Sequence, residues 1–357
     1  MSKKLALYPM TRNQCALARY SSLLINYSLT RCFVPSFKHL DGADINRLDG
    51  GETTDITLSS YSKESLSSVD ELVVDYDDRL INLGLYKEVI ANAVEMGKDV
   101  FLTRQMKIAL RKVINAWPTV LPLEEDPEED MLYEISVPVV TVLTQGMRTD
   151  QFAIELALNN HFSEEGYNVS QICSCSYGKF LGLTDMPDFI YEPRHAYEKI
   201  IRFNHFVKQL VDDENPDLII ISVPEAVMKY SNKMLQGLGV LPFVISNAIQ
   251  SDITIFDLYF DKYNEKYFDE LTHFAKYRLS CPVHFFNLSN TLIIPSESDR
   301  TAKIEYVDIN SKFVFKGVED DIEQGKYRLF NILDSRSAKQ LCICVQDTLI
   351  KNVRSLL

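Results

Sequence analysis

The chain has 357 residues, of which 46% are hydrophobic, and carries a formal net charge of −13 at pH 7. That length predicts about two domains with real cores, and the acidic balance argues against nucleic acid and anionic membranes as partners. No apolar run approaches the roughly 18 residues of a membrane span. The N-terminus, MSKKLALYPM, lacks the long apolar core and cleavage site of a signal peptide, and seven cysteines without framework spacing suit a reducing cytoplasm.

The first 120 residues alternate strand and helix signals. Residues 5–10 read as a strand, and 12–25 as a helix with Ala16, Leu17, Tyr20, Leu23 and Leu24 at helical spacing. Residues 28–34 and 71–76 read as further strands. A helix over 85–96 ends at Gly97, a strand covers 99–103, and a helix over 105–116 stops at Trp117-Pro118. Alternating β and α predicts a Rossmann-like parallel sheet with helices on both faces, occupying 1–120. Residues 121–133 contain PLEEDPEED, where like charges and prolines predict an interdomain linker.

The β–α pattern restarts in 134–357, predicted as a second α/β domain. A strand over 135–143 leads into a helix over 149–164, ended by Gly166. Strands follow at 168–175 and 217–223, with a helix at 197–211 between them. Further strands are expected at 241–246 and 282–295 around a helix at 265–278. Hairpin-like strands are expected at 303–316, and a closing helix at 337–356.

The most informative stretch is VPVVTVLTQGMRTDQFAIELALNN at 137–160. Strand, tight turn and helix give the geometry of a phosphate-binding loop, as in a P-loop NTPase. Such a loop needs G-x-x-x-x-G-K-[ST], with glycines for close backbone approach and a lysine for charge. With the helix taken to start at Asp150, those slots hold Gln145, Asp150, Gln151 and Phe152, so the phosphate loop is degenerate. Thr144, Gly146, Arg148 and Thr149 remain as groups that would hold an anion: the helix N-terminus offers N–H donors and a positive dipole end, and Arg148 a guanidinium. Asp150 argues the other way, since a carboxylate in the first turn repels phosphate. A nucleotide is the only cofactor this loop suggests.

Other residues bear on the same question. Lys179, in SCSYGKFLG between Gly178 and Gly182, would reach an anion at the sheet's carboxyl edge, although a lysine in a turn is commonly just solvated. Glu225, after the strand at 217–223, reads as a helix-start carboxylate or as a magnesium handler. The loop LDGADINRLDGGETT at 40–54 carries Asp49, Gly50, Gly51 and Glu52, where paired glycines allow a close approach by a ligand or another backbone. Asp75, Asp77 and Asp78 end the strand at 71–76, as a cation site or an acidic rim. Both this loop and the one at 145–151 are expected to face an interdomain cleft. His39 near Asp41 is a candidate acid–base group or a surface histidine. The histidines lack zinc spacing, and the pairs Cys173–Cys175 and Cys342–Cys344 read as buried thiols rather than a metal site. No G-x-S-x-G or G-x-G-x-x-G occurs, so no motif names a reaction or a catalytic residue.

In order along the chain, ALYPM with Ala18-Arg19-Tyr20, LDGGE at 48–52, VVDYD at 73–77, TVLTQGMRTDQFAIELAL, GYNVSQICS and FLGLTDMP at 180–187 resemble a family of clostridial-type peptide maturation system proteins, found beside ribosomally made natural-product precursors. The resemblance implies an accessory protein whose partner is a precursor peptide or a peptide-modifying enzyme, and it transfers no catalytic residue. The architecture is also similar to two-domain Rossmann-like plus P-loop proteins, which keep Gly-Lys where this chain has Asp150-Gln151. The alternatives are an enzyme of transferase or ligase type, or a pseudo-NTPase, with an atypical nucleotide site.

Overall fold

The computed structural model describes residues 2–80, 82–114, 131–314, 316 and 326–356. Two compact units emerge. The first comprises Met1–Asp49, Thr53–Glu125 and Cys175–Gly182, and the second Gly50–Glu52, Asp126–Ser174 and Leu183–Leu357. Each unit therefore includes a short piece of chain embedded in the other's sequence. Residues 121–130 of the expected linker lie outside the described residues.

In the first unit, β1 (Lys3–Tyr8) leads to α1 (Arg12–Arg19), then β2 (Tyr27–Val34), the short α2 (Asn46–Asp49), β3 (Leu58–Ser60), β4 (Glu71–Val74), α3 (Leu83–Glu95), β5 (Asp99–Leu102) and α4 (Arg104–Ile114). The strands form a five-stranded sheet in the order β3-β2-β1-β4-β5, with every pairing parallel. This is the Rossmann-like arrangement, in which the order reverses beside β1 and opens a crevice at the strands' carboxyl ends. The core gathers Ala6, Tyr8, Phe33, Leu72, Val74, Tyr86 and Val89. The first helix is shorter than its apolar spacing suggests. It ends at Arg19, with Tyr20 closing it and a 3-10 turn at Ser21–Leu23. Gly97, just past α3, takes φ +67 as a helix-ending glycine.

The second unit runs β6 (Val139–Thr144), α5 (Gln151–Glu164), β7 (Val169–Cys173), β8 (Thr184–Asp185), α7 (Ala196–Glu214), β9 (Leu218–Ser222), α8 (Val240–Ala248), β10 (Ile253–Leu258), α9 (Glu265–Leu279), β11 (Val283–Leu288), β12 (Thr291–Ile293), α10 (Pro295–Thr301), β13 (Tyr306–Asp308), β14 (Leu329–Phe330) and α11 (Ser335–Leu356). Between β7 and β8 the chain forms α6 (Gly178–Leu181), which clusters with the first unit. Seven strands line up as β14-β11-β10-β6-β9-β7-β8, all parallel. Strands β6, β9 and β10 are buried along their whole length, as expected of parallel strands covered on both faces, which read as apolar runs rather than alternating ones. The fold is thus α/β throughout, with two parallel sheets.

Several elements depart from the sequence reading. Residues 241–246, expected as a strand, lie inside α8, because an apolar run such as LPFVIS suits a buried helix as well as a strand. The strand that fills the place beside β6 is β10, which the pattern reading passed over. Residues 282–295 split into two strands of different sheets at Ser289-Asn290, and 303–316 is not a hairpin: β13 pairs antiparallel with β12, and 311–314 is helical. Cys342 and Cys344 lie on helix α11, where a two-residue spacing points thiols apart.

Candidate functional site

The loop between β6 and α5 sits at the carboxyl end of the second sheet, where the strand order reverses between β6 and β10. Helix α5 begins at Gln151, with Asp150 at its N-cap. The residues Thr144–Gln151 therefore span the strand end and the first helical position, and the helix starts one residue later than the start taken at Asp150. Phe152 is a core side chain.

The loop is fastened by its own unit. Thr144 Oγ1 donates to the Gly146 carbonyl (2.7 Å), accepts from the Gly146 N–H (3.1 Å), and lies 2.7 Å from Thr149 Oγ1. The Gln145 N–H donates to the Asp257 carbonyl (2.8 Å). The Gln145 side chain donates to Tyr267 (2.8 Å) and accepts from the Tyr259 N–H (2.9 Å) and the Tyr263 hydroxyl (3.1 Å). The Met147 N–H donates to Gln236 Oε1 (3.2 Å), and Tyr259 donates to the Met147 carbonyl (2.7 Å). Gly146 is packed so tightly that a Cβ would lie 2.0 Å from Tyr259 Oη and 2.4 Å from Gln236 Oε1. The Gln236 side-chain oxygen thus takes the acceptor position at the Met147 N–H. Burial pushes the Tyr259 and Tyr263 phenols up, so both act as neutral donors.

Of the charged candidates here, the Arg148 guanidinium lies 4.4 Å from the centre of the Tyr306 ring, a cation–π arrangement, and the residue itself takes φ +67. Asp150, at the N-cap of α5, accepts from the Asn290 N–H (3.1 Å). Asn290 joins a buried amide ladder: Asn331 Nδ2 donates to Asn290 Oδ1 (2.8 Å) and to the Leu288 carbonyl (2.7 Å), and Asn287 Nδ2 donates to Asp257 (2.7 Å). Gln151 Nε2 donates to the carbonyls of Val142 (3.0 Å) and Val223 (2.6 Å), tying the helix start to two strand ends. Glu225 starts no helix: it has φ +67 in the turn after β9.

One turn into α5 lies a group the sequence reading missed. Glu155 is fully buried, accepting from Ser174 (2.9 Å) and Gln171 (3.0 Å). Burial pushes its carboxyl up to about 8, against the downward pull of those hydrogen bonds, so it holds its proton at neutral pH. Its signal was in plain view: one carboxylate inside the apolar run FAIELAL.

The candidate residues of 49–52 divide between the units. Asp49 belongs to the first, buried and held by Arg19 through Nε (2.8 Å) and Nη2 (2.9 Å). Gly50, Gly51 and Glu52 belong to the second. Gly50 has φ +71, its carbonyl accepts from the Ser311 N–H (2.7 Å), and a Cβ there would lie 1.9 Å from the Ile309 carbonyl oxygen. The Glu52 N–H donates to the Leu333 carbonyl (3.3 Å). The close approach that this glycine permits is to a neighbouring backbone.

In the first unit, Asp75 follows β4 at the crevice and is buried. It accepts from Thr11 (2.8 Å), Thr103 (2.7 Å) and Tyr177 (2.8 Å), as well as from the Tyr76 N–H (2.9 Å). Asp77 pairs with Lys38 (3.0 Å). His39 ends a 3-10 turn with φ 49 and is exposed. Lys179 clusters with this unit, where its ammonium is 2.5 Å from Glu71 at the start of β4 and lies over Phe101 and Phe180. Its partner is a carboxylate at the amino end of a strand, not an anion at the carboxyl edge. Among the described residues no group of three or more His, Cys, Asp or Glu is placed to hold a metal ion, and no described helix is long and apolar enough to cross a membrane.

No protein-family model matches the chain, and no curated protein matches it. Among solved structures it is similar to a DUF1611 family protein from Anabaena variabilis, with a TM-score of 0.61 over 97% of this chain and 99% of that one, at 10% sequence identity. The likeness is one of fold, and no residue role passes across it.

Proposed function

We propose that the chain is an accessory protein in the cytoplasmic maturation of a ribosomally made peptide, binding the precursor or its modifying enzyme rather than turning over a nucleotide. The motifs spread from ALYPM to FLGLTDMP support the biological setting. The observation that carries the choice of binder over NTPase is the Gln236 amide on the Met147 N–H, with the Asp150 carboxylate at the N-cap of α5 and Gln151 where a P-loop has lysine. A triphosphate at this loop would have to displace one and tolerate the other, without an ammonium to offset the repulsion. The loop's placement at the sheet's carboxyl end and the Arg148 guanidinium favour the second reading, a transferase, ligase or pseudo-NTPase with an atypical nucleotide site.

Titration calorimetry separates the two. ATP and GTP, each with and without magnesium, should give no saturable heat, whereas the leader segment of a precursor peptide encoded beside the gene should bind. Saturable nucleotide binding abolished by Arg148→Ala would replace the accessory reading with the nucleotide one. Silence toward the precursor and its modifying enzyme alike would remove the peptide-maturation role.

A further inference from the structure

The first unit contains a cavity of about 280 Å³ that none of the candidate residues above accounts for. Its floor is Tyr8, the last residue of β1, and its walls include residues just past the ends of β2 and β3, with one face of α3 closing it. It therefore lies at the carboxyl ends of three neighbouring parallel strands, where open α/β sheets take ligands. The volume is just below the roughly 300 Å³ at which drug-sized pockets begin, the scale of one amino-acid side chain or one small ring.

Its lining is chemically specific. The Tyr8 and Tyr61 rings meet at 5.3 Å and 56°, forming an aromatic corner, and Phe37 stands at the wall with 54% of its surface exposed. Tyr8 is only 2% exposed overall, and its hydroxyl makes no hydrogen bond to any described residue. Its oxygen is thus available to a group seated in the cavity. Burial, followed by the nearby Tyr61 and Glu88, pushes the Tyr8 phenol up to about 12, so it stays neutral. Asn92 Nδ2 donates to the Tyr61 hydroxyl (3.2 Å), which leaves the amide oxygen for a donor. Two charges line the cavity. Lys63 is neutralised by Glu95 at 2.8 Å, whereas Glu88 has no ion pair among the described residues. The cavity thus presents aromatic faces, oxygen acceptors and one uncompensated carboxylate.

We infer that this cavity binds a small organic cation, a primary ammonium on an aromatic or alkyl body, with the ammonium at Glu88 and the Tyr8 oxygen and the body against the Tyr8, Tyr61 and Phe37 rings. Ammonium groups are attracted to the faces of aromatic rings and form charge-assisted hydrogen bonds with carboxylates. An anionic ligand would meet the Glu88 charge, and Pro9, directly after β1, supplies no N–H for a phosphate. The cation has two sources, a free amine or a lysine side chain presented by a peptide. The site rests on the geometry of the first unit alone and stands or falls separately from the accessory role proposed above.

The test uses the full chain, with saturation-transfer NMR and calorimetry. Phenethylamine, phenethyl alcohol and 3-phenylpropionate vary the charge on a nearly constant body, and N-acetyl-lysine methylamide represents the peptide source. Phenethylamine or the lysine derivative should bind saturably in the millimolar range or tighter, and the tighter of the two identifies the source. Glu88→Gln, a change at an exposed position, should weaken that binding about tenfold or more, and Tyr8→Phe about threefold to tenfold. Equal or tighter binding of the alcohol or the propionate would overturn the inference. So would unchanged affinity in Glu88→Gln, or the absence of saturable binding by both amines.

Discussion

Alanine at Gly50 should destabilise the protein by about 3 kcal/mol or more, a large share of the about 5–15 kcal/mol that holds a typical domain together. Two costs add. Gly50 has φ +71, and an L-residue in that left-handed region gives up about 1–2 kcal/mol. The new methyl would also sit 1.9 Å from the Ile309 carbonyl oxygen. That oxygen belongs to backbone held in turn by the Ile309 N–H on the Asn290 carbonyl (2.8 Å), so relief requires main chain to move. Gly97 supplies the control. Its φ is +67 with nothing within 4 Å of an added Cβ, so Gly97→Ala carries the conformational cost alone. Urea unfolding of both variants should place the Gly50→Ala midpoint clearly below that of Gly97→Ala. Equal midpoints would mean that the Ile309 contact yields easily and that the glycine is there for its dihedral alone.

Glu155→Gln should stabilise the protein at neutral and alkaline pH, and the size of the gain should depend on pH in a defined way. The carboxyl titrates near its ordinary 4.5 when unfolded and near 8 when folded. Below about pH 4.5 both states hold the proton and the residue adds no pH dependence. Between 4.5 and 8 the unfolded chain ionises while the folded one does not, so stability falls as pH rises, and above 8 the loss is complete. A shift of that size corresponds to the order of 3–5 kcal/mol. Glutamine has nearly the same shape and never ionises; its one oxygen accepts from the Gln171 amide while its NH2 donates to the Ser174 hydroxyl, which can turn to accept. Thermal unfolding from pH 4.5 to 9 should show the variant's midpoint converging with wild type at the acid end and rising above it toward the alkaline end. Parallel curves would show that Glu155 is already ionised in the folded protein.

Much of the fold could be read from runs of residues. Strands β1, β6 and β9 are short apolar stretches followed by turn or helix signals, and α3 and α9 carry helical spacing with caps. The misreading at α8 has a physical cause: once a helix is buried on most sides its amphipathic period fades, and VLPFVISNA offers little else. Strand β10, ITIFDL, went unread although it is buried from end to end. The site was less legible still. The loop 144–151 could be found from its own sequence, but its fastenings could not. Gln236 lies 89 residues from Met147 in the chain, and Tyr259, Tyr263 and Tyr267 come from the far side of β10. Lys179 could not be placed from local pattern, because the segment carrying it packs away from its sequence neighbours. Glu155, in contrast, was readable as a lone acid among apolar residues.

The segment Cys175–Gly182 also bears on how the two halves depend on one another during synthesis. A polypeptide ending at Glu125 lacks the Tyr177 hydroxyl that meets Asp75 and the Lys179 ammonium that meets Glu71. A polypeptide beginning at Asp126 lacks the Gly50 carbonyl that receives the Ser311 amide. The amino-terminal sheet can pair its five strands within residues 3–102, but Asp75 and Glu71 receive Tyr177 and Lys179 only after the residues following strand β7 have been synthesised, and neither half of the sequence carries all the contacts of its own unit.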